Sequence, residues 1–404
     1  MALSKTKRTI GAVTLLAAAA GLITMPSLTK ADEAFNYFTT ISIGGLTSFD
    51  ISWVDPALQT YFLADRSNKS IDTIATTTKQ LSFITPGFKG IFTSSSGAVN
   101  NDLSGPNGVL TFNNTTAGTS EIWAGDGPQP ASICGANTPS TGCSTLKVMS
   151  WPSGTLTHNI STGGAARADE LCHDPVHHTI LIANDAEADF PFGTPFVSFF
   201  STDTYQRVGA ISIPEATNGI EQCQYDNVTN LFYLNIPEVN GPGNDSKDGA
   251  VYVISPTSFT VVKKYDIPVA SCAGPQGMAL GPANQILLGC HGASDAIIDR
   301  TSGAVIATGF IGAGGADQVW FNPTDSHYYI TATTANPASL GIVDALTGPV
   351  DQVIAIPKFG GVSPHSVAAD ANTNQIYMPN AGGVNIFFPS GTDSDDGATP
   401  PQPE

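Results

Sequence analysis

Apolar and polar positions along this chain repeat one short pattern. A polar residue opens a four-residue segment rich in apolar side chains, and Asp or Asn, usually with Pro, closes it. The pattern occurs as DISWVDP (from Asp50), GVLTFNN (Gly108), DELCHDP (Asp169), EQCQYDN (Glu221), QGMALGP (Gln276), DQVWFNP (Asp317) and HSVAADA (His365), with openings 41 to 61 residues apart. A second strand-like run follows each copy across turn residues (TYFLAD, SEIWAGD, TILIAND, LFYLN, QILLGCH, HYYITA, QIYMPN), which is the grammar of a hairpin. Third runs such as AVYVIS and fourth runs such as RVGAISIPE complete the unit. Four short antiparallel strands in a unit of roughly 40–60 residues describe the blade of a β-propeller. The pattern predicts an all-β chain forming one seven-bladed β-propeller.

The seventh unit holds only three strands before an acidic tail begins, ending at VNIFFP. The run NYFTTISIGG (Asn36–Gly45), which precedes the first copy, has the pattern of a fourth strand. It is expected to complete the last blade, closing the ring and removing two sheet edges. The propeller then occupies residues 34–389. Residues 1–31, with Lys5, Lys7 and Arg8 before an apolar run, read as a signal peptide, and residues 390–404 as a disordered acidic tail. After signal removal no stretch approaches the ~20 apolar residues of a membrane span. The expected location is secreted or periplasmic, the expected state a monomer.

Composition supports this outline and excludes alternatives. The chain of 404 residues is 41% apolar and only 12% charged, with 41 Gly and 28 Pro, which fits a turn-rich β fold and neither a disordered chain nor a helical bundle. Its 34 acidic and 16 basic residues make a net charge of -18, a field that repels phosphate, so no nucleic-acid partner is expected. Six cysteines in an exported chain predict disulfides. Cys134 and Cys143 enclose a Gly/Pro/Ser-rich insertion, Cys172 and Cys223 lie in adjacent first strands, and Cys272 and Cys290 flank the first hairpin of blade five. Those three pairs are the expected bridges.

The third-strand signature in IIDRTSG and IVDALTG, with the blade LADRSNKSIDTI, resembles the YVTN and YncE-like bacterial propellers and the related NHL repeats. That resemblance covers most of the chain and implies a fold with many functions: binding proteins, lactonases, lyases and scaffolds of redox enzymes. GPNGV and NGIEQ are more distantly similar to strand openings of gluconolactonase-type propellers, which hold a catalytic metal through Glu, Asn and Asp. Those enzymes have six blades, and the Asn residues here fall one and three positions before the aligned openings.

In a propeller, first strands line the central channel, so the residues that open them face its mouth. They are Asp50, Gly108, Asp169, Glu221, Gln276, Asp317 and His365, and Arg167 lies two residues from Asp169. Second strands end on the same face with Asp65, Asp126, Asn184, Asn235, His291 and Asn380. Four clustered acids repel one another unless a cation or hydrogen bonds compensate. One divalent ion (Ca, Mg, Mn or Zn) held by Asp169, Glu221 and Asp317 is a candidate cofactor. The principal reading is a binding protein that takes a small molecule, peptide or protein partner at this rim, with Asp50, Asp169, Glu221, Gln276, Asp317, His365, Arg167, His291 and Asn380 as contacts. The alternative is a metal-dependent hydrolase or lyase with Glu221 or His365 as general base. His173, His177 and His178 are assigned to a turn on the opposite face.

Overall fold

The computed structural model describes residues 35–134, 142–185, 193–292, 295–309, 315–333, 338–346, 350–355 and 364–389. The expected signal segment and acidic tail lie outside the described residues. Seven four-stranded antiparallel sheets form the blades. Their inner strands are Ser52–Asp55, Val109–Asn114, Ala168–Asp174, Cys223–Asp226, Pro275–Leu280, Val319–Asn322 and Ala368–Asp370. In the last blade, Phe35–Ser42 pairs antiparallel with Gly383–Pro389, so the chain's first described strand closes the ring as expected.

The repeated Asp or Asn has a local physical role. Its carboxylate or amide oxygen accepts the backbone amides two and three residues on, turning the chain back into the second strand. Asp55 accepts from Ala57 and Leu58, Asn114 from Thr116 and Ala117, and Asp174 from Val176 and His177. The turn ends with a left-handed residue: Gln59, Gly118, His178, Asn230, Ser326 and Asn374 all have φ between 51° and 70°.

Second strands are sandwiched between neighbouring blades on both faces, which is why they read as unbroken apolar runs. Every residue of Thr60–Asp65, Thr179–Asn184 and His327–Ala332 is buried. Outer strands such as Arg207–Ser212 alternate with solvent instead. Packing between blades is aromatic and aliphatic. Tyr61 stacks on Tyr377 at 5.0 Å between blades one and seven, and Phe199 meets Phe232 between three and four.

The three disulfides pair as expected: Cys134–Cys143, Cys172–Cys223 and Cys272–Cys290. Among the described residues no helix is long and apolar enough to cross a membrane.

Candidate functional site

At the channel mouth the inner strands do not run straight in. In blade one, Asp50 N donates to Ala64 O while Ala64 N donates to Ile51 O, so two residues oppose one. The same two-against-one pairing sets Asn107 and Gly108 against Gly125, and Glu221 and Gln222 against Asn235. Register jumps place Asp169 and Glu170 against Ala183 in blade three, and Gln276 and Gly277 against Gly289 in blade five. This is a β-bulge, and it turns consecutive side chains toward the channel where a regular strand would alternate them.

The bulge corrects the expected ring in two places. In blade two the first bulge residue is Asn107, not Gly108. Gly108 holds the second place, where a Cβ would stand 2.5 Å from Asp169 O and 2.9 Å from Glu170 Cα. Only glycine lets this strand lie so close to its neighbour. In blade three the bulge adds Glu170, which strict alternation assigns to the blade's interior.

The expected acids do converge. Oxygens of Glu170, Glu221 and Asp317 lie within 4.8 Å of one another, and so do ligand atoms of Asp50, Asp317 and His365. Asp317 belongs to both groups, joining them into one cluster. Two guanidinium groups border it. Arg66 pairs with Asp50 Oδ2 and donates to Asn107 Oδ1 at 2.8 and 3.1 Å. Arg167 lies 2.9 Å from Asp169, 2.7 Å from Asp185 and 3.7 Å from Asp102. His365 Nε2 is 3.7 Å from Asp50 Oδ1, and its ring stacks on Phe49 at 4.8 Å and 7°.

Charge in this space is unevenly compensated. Burial works against the charge on Asp50, but Arg66 and His365 outweigh it and hold the carboxyl below its usual range. Burial, then the Asp317 and Asp169 carboxylates, push Glu170 and Glu221 well above theirs. Asp317 is also raised: burial lifts it, His365 opposes, and Asp50 adds to the rise. Arg167 stays protonated, because the carboxylates of Asp169, Asp185 and Asp102 overcome the cost of burying it.

Other expected contacts serve the scaffold. Asn235 Nδ2 donates to Gln276 O and Gly277 O, both at 2.8 Å, tying blade four to blade five. Asn380 is buried and its Oδ1 accepts the amide of Ala381. Asp126 accepts from the amides of Lys89 and Gly127 and lies 3.2 Å from Lys147 Nζ. His291 stands apart from these: its side chain is 56% exposed, and its Nδ1 shares a 2.8 Å hydrogen bond with Asp245 that raises the imidazole above its usual value.

The loops on this face are organised from within. Glu238 is fully buried, and its two oxygens accept the amides of Gly243, Asn244, Ser246 and Lys247. Nothing in the sequence pattern marks Glu238, because a carboxylate that gathers its own loop has no fixed spacing.

The opposite mouth is different chemistry. A cavity of about 230 Å³ there is lined by Trp53, Leu110, Leu171, His173 and Tyr225, and Trp53 meets Trp320 edge-on at 5.2 Å. His173 stacks on Phe112, and burial pushes its imidazole down to about 4, so it is neutral. His177 and His178 pair with Asp174 and Asp203, in and beside the turns.

No protein-family model matches the chain, and no curated protein matches it. The likeness carried by the third-strand signature therefore stands at the level of the fold.

Proposed function

We propose that this protein is an exported binding propeller that takes a positively charged ligand into the acidic mouth of its channel. One observation carries the reading. Among the described residues, Asp50, Asp102, Asp169, Glu170, Asp185, Glu221 and Asp317 face one space with only Arg66 and Arg167, a formal excess of five negative charges, and both guanidinium groups are already committed. Low-dielectric walls concentrate that field and draw cations in. Asp317 and His365 keep part of their surface open to solvent, giving a ligand a way to the cluster. His291 and the loop built on Glu238 stand on the same face, where they meet whatever carries the charge. Export accords with the three disulfides, which persist in oxidising compartments.

Calorimetric titration with matched small cationic, neutral and anionic compounds tests this. Cations are expected to bind saturably, more weakly as salt rises, and to lose affinity in Asp317→Asn. Neutral or anionic compounds binding as well as cations would overturn it.

The second reading, a metal-dependent hydrolase or lyase, rests on His365. Its ring is fixed flat against Phe49 with Nε2 toward Asp50, a suitable setting for a general base. Glu221 is the other candidate base. Turnover of a lactone and lyase substrate panel that is unchanged in both His365→Ala and Glu221→Gln removes this reading.

A further inference from the structure

We propose that Glu170, Glu221 and Asp317 together form a site for one hard divalent cation of the calcium type. The inference rests on the reading of the channel mouth as a cation receptor, and names the ion and the ligands. Its ligand set differs from the one expected on rim positions alone, because Arg167 already occupies Asp169 at 2.9 Å.

The bulge of blade three is the first support. At the corresponding second place of other blades, polar side chains staple strands together. Gln222 Oε1 accepts the amide of Met278 at 2.6 Å. Gln318 reaches blade seven and, beyond it, blade one: its Oε1 accepts from Ser366 and Ser52, and its Nε2 donates to Ser52 O at 2.7 Å. Glu170 occupies the same place and makes no such staple. It is 3% exposed, yet its Oε1 accepts no hydrogen bond. A buried carboxylate oxygen without a donor is costly, and carboxylate oxygens of Glu221 and Asp317 lie within 4.8 Å of a Glu170 oxygen. Three carboxyl groups in this arrangement either keep their protons or are held ionised by a cation between them, and neither guanidinium group is free to supply that charge.

Donor chemistry and size select the ion. All three ligands are carboxylate oxygens, the preference of calcium, magnesium and manganese rather than of copper or zinc. Calcium sits about 2.3–2.6 Å from its oxygens and tolerates irregular geometry, whereas magnesium demands an octahedron at about 2.0–2.1 Å. Oxygens up to 4.8 Å apart accommodate the larger ion with less closure of the side chains. Water completes either shell from the open side, where Asp317 is partly exposed.

The experiment is calorimetric titration of the chelator-stripped full chain with calcium chloride and with magnesium chloride, alongside spermidine as an organic cation. One calcium per chain is expected, at least tenfold tighter than magnesium, and weakened at least tenfold in both Glu170→Gln and Glu221→Gln. The stripped Glu170→Gln protein is expected to melt no lower than the stripped parent, since an amide of the same shape replaces a buried carboxyl that has no cation to pair with. Spermidine binding without calcium binding sinks the metal site and leaves the cation receptor standing. Neither ligand binding sinks both. Calcium binding unaffected by the two Gln variants, or a preference for magnesium, overturns the assignment of ligands and ion.

Discussion

Glu170 and Gln318 hold equivalent places in their blades and use them in opposite ways. The amide both donates and accepts, so Gln318 links blade six to blades seven and one. A carboxylate can only accept, and Glu170 faces other acceptors. One atom decides which residue can staple strands and which can only accept. Asp295 shows the same principle away from the channel. Burial pushes its carboxyl up to about 7, opposed by one hydrogen bond from the Cys290 amide. A carboxyl with a raised pKa binds its proton more tightly folded than unfolded, so native stability declines from about pH 4 to about pH 7 and levels off above. Asp295→Asn keeps the acceptor and removes the charge. In urea titrations it is expected to match the parent near pH 4 and to exceed it by about 2–4 kcal/mol near pH 8. A constant difference across that range would show that the proton is not the cause.

Elements carry the next level of information. The closing Asp or Asn of six of the seven first strands is legible in the sequence because its turn needs a side-chain acceptor at one place. The bulge that precedes the strand is not legible, because it depends on pairing with the second strand. That is why strand alternation puts Gly108 in the place of Asn107 and leaves Glu170 out of the rim. Gly108→Ala is expected to destabilise by about 1–3 kcal/mol, since its Cβ meets backbone atoms of the neighbouring strand that cannot move aside. Cation affinity should fall with it, as that backbone bears Asp169 and Glu170. Retained stability and affinity would mean that the two strands can separate freely. The disulfides also act between elements. Cys172–Cys223 joins the inner strands of blades three and four across 51 residues, whereas Cys134–Cys143 closes a loop of 9. On loop-closure entropy, converting each pair to Ala should cost about 4 and about 3 kcal/mol respectively, and the order can be read by chemical denaturation. The reverse order would show that native packing, not chain entropy, sets their value.

For the whole molecule, closure is the controlling event. Phe35–Ser42 pairs along the length of Gly383–Pro389, and Phe35 packs edge-on against His327 and Tyr329 of blade six. A chain beginning at Ile43 exposes that sheet edge and the apolar face beneath it. It is expected to self-associate on size-exclusion chromatography and to lose a single sharp melting transition. A monomer melting like the parent would show that the ring does not depend on this strand. Acidity is likewise a property of the whole. The formal charge of -18 says only that the chain is acidic, but closure of the ring brings seven carboxylates from different blades to one mouth.

Blade number, strand order, ring closure and the three bridges were all written in local pattern. Alternation, turn acceptors and cysteine positions act over a few residues, and a circle with a fixed number of units leaves little further choice. The rim acids Asp50, Asp169, Glu221 and Asp317 were legible for the same reason, as first-strand openings. Their division of labour was not. Arg167 claiming Asp169, Arg66 claiming Asp50, and Glu170 left without a donor are outcomes of which side chains meet across the channel. Such meetings join residues from different blades, and no spacing along the chain encodes them.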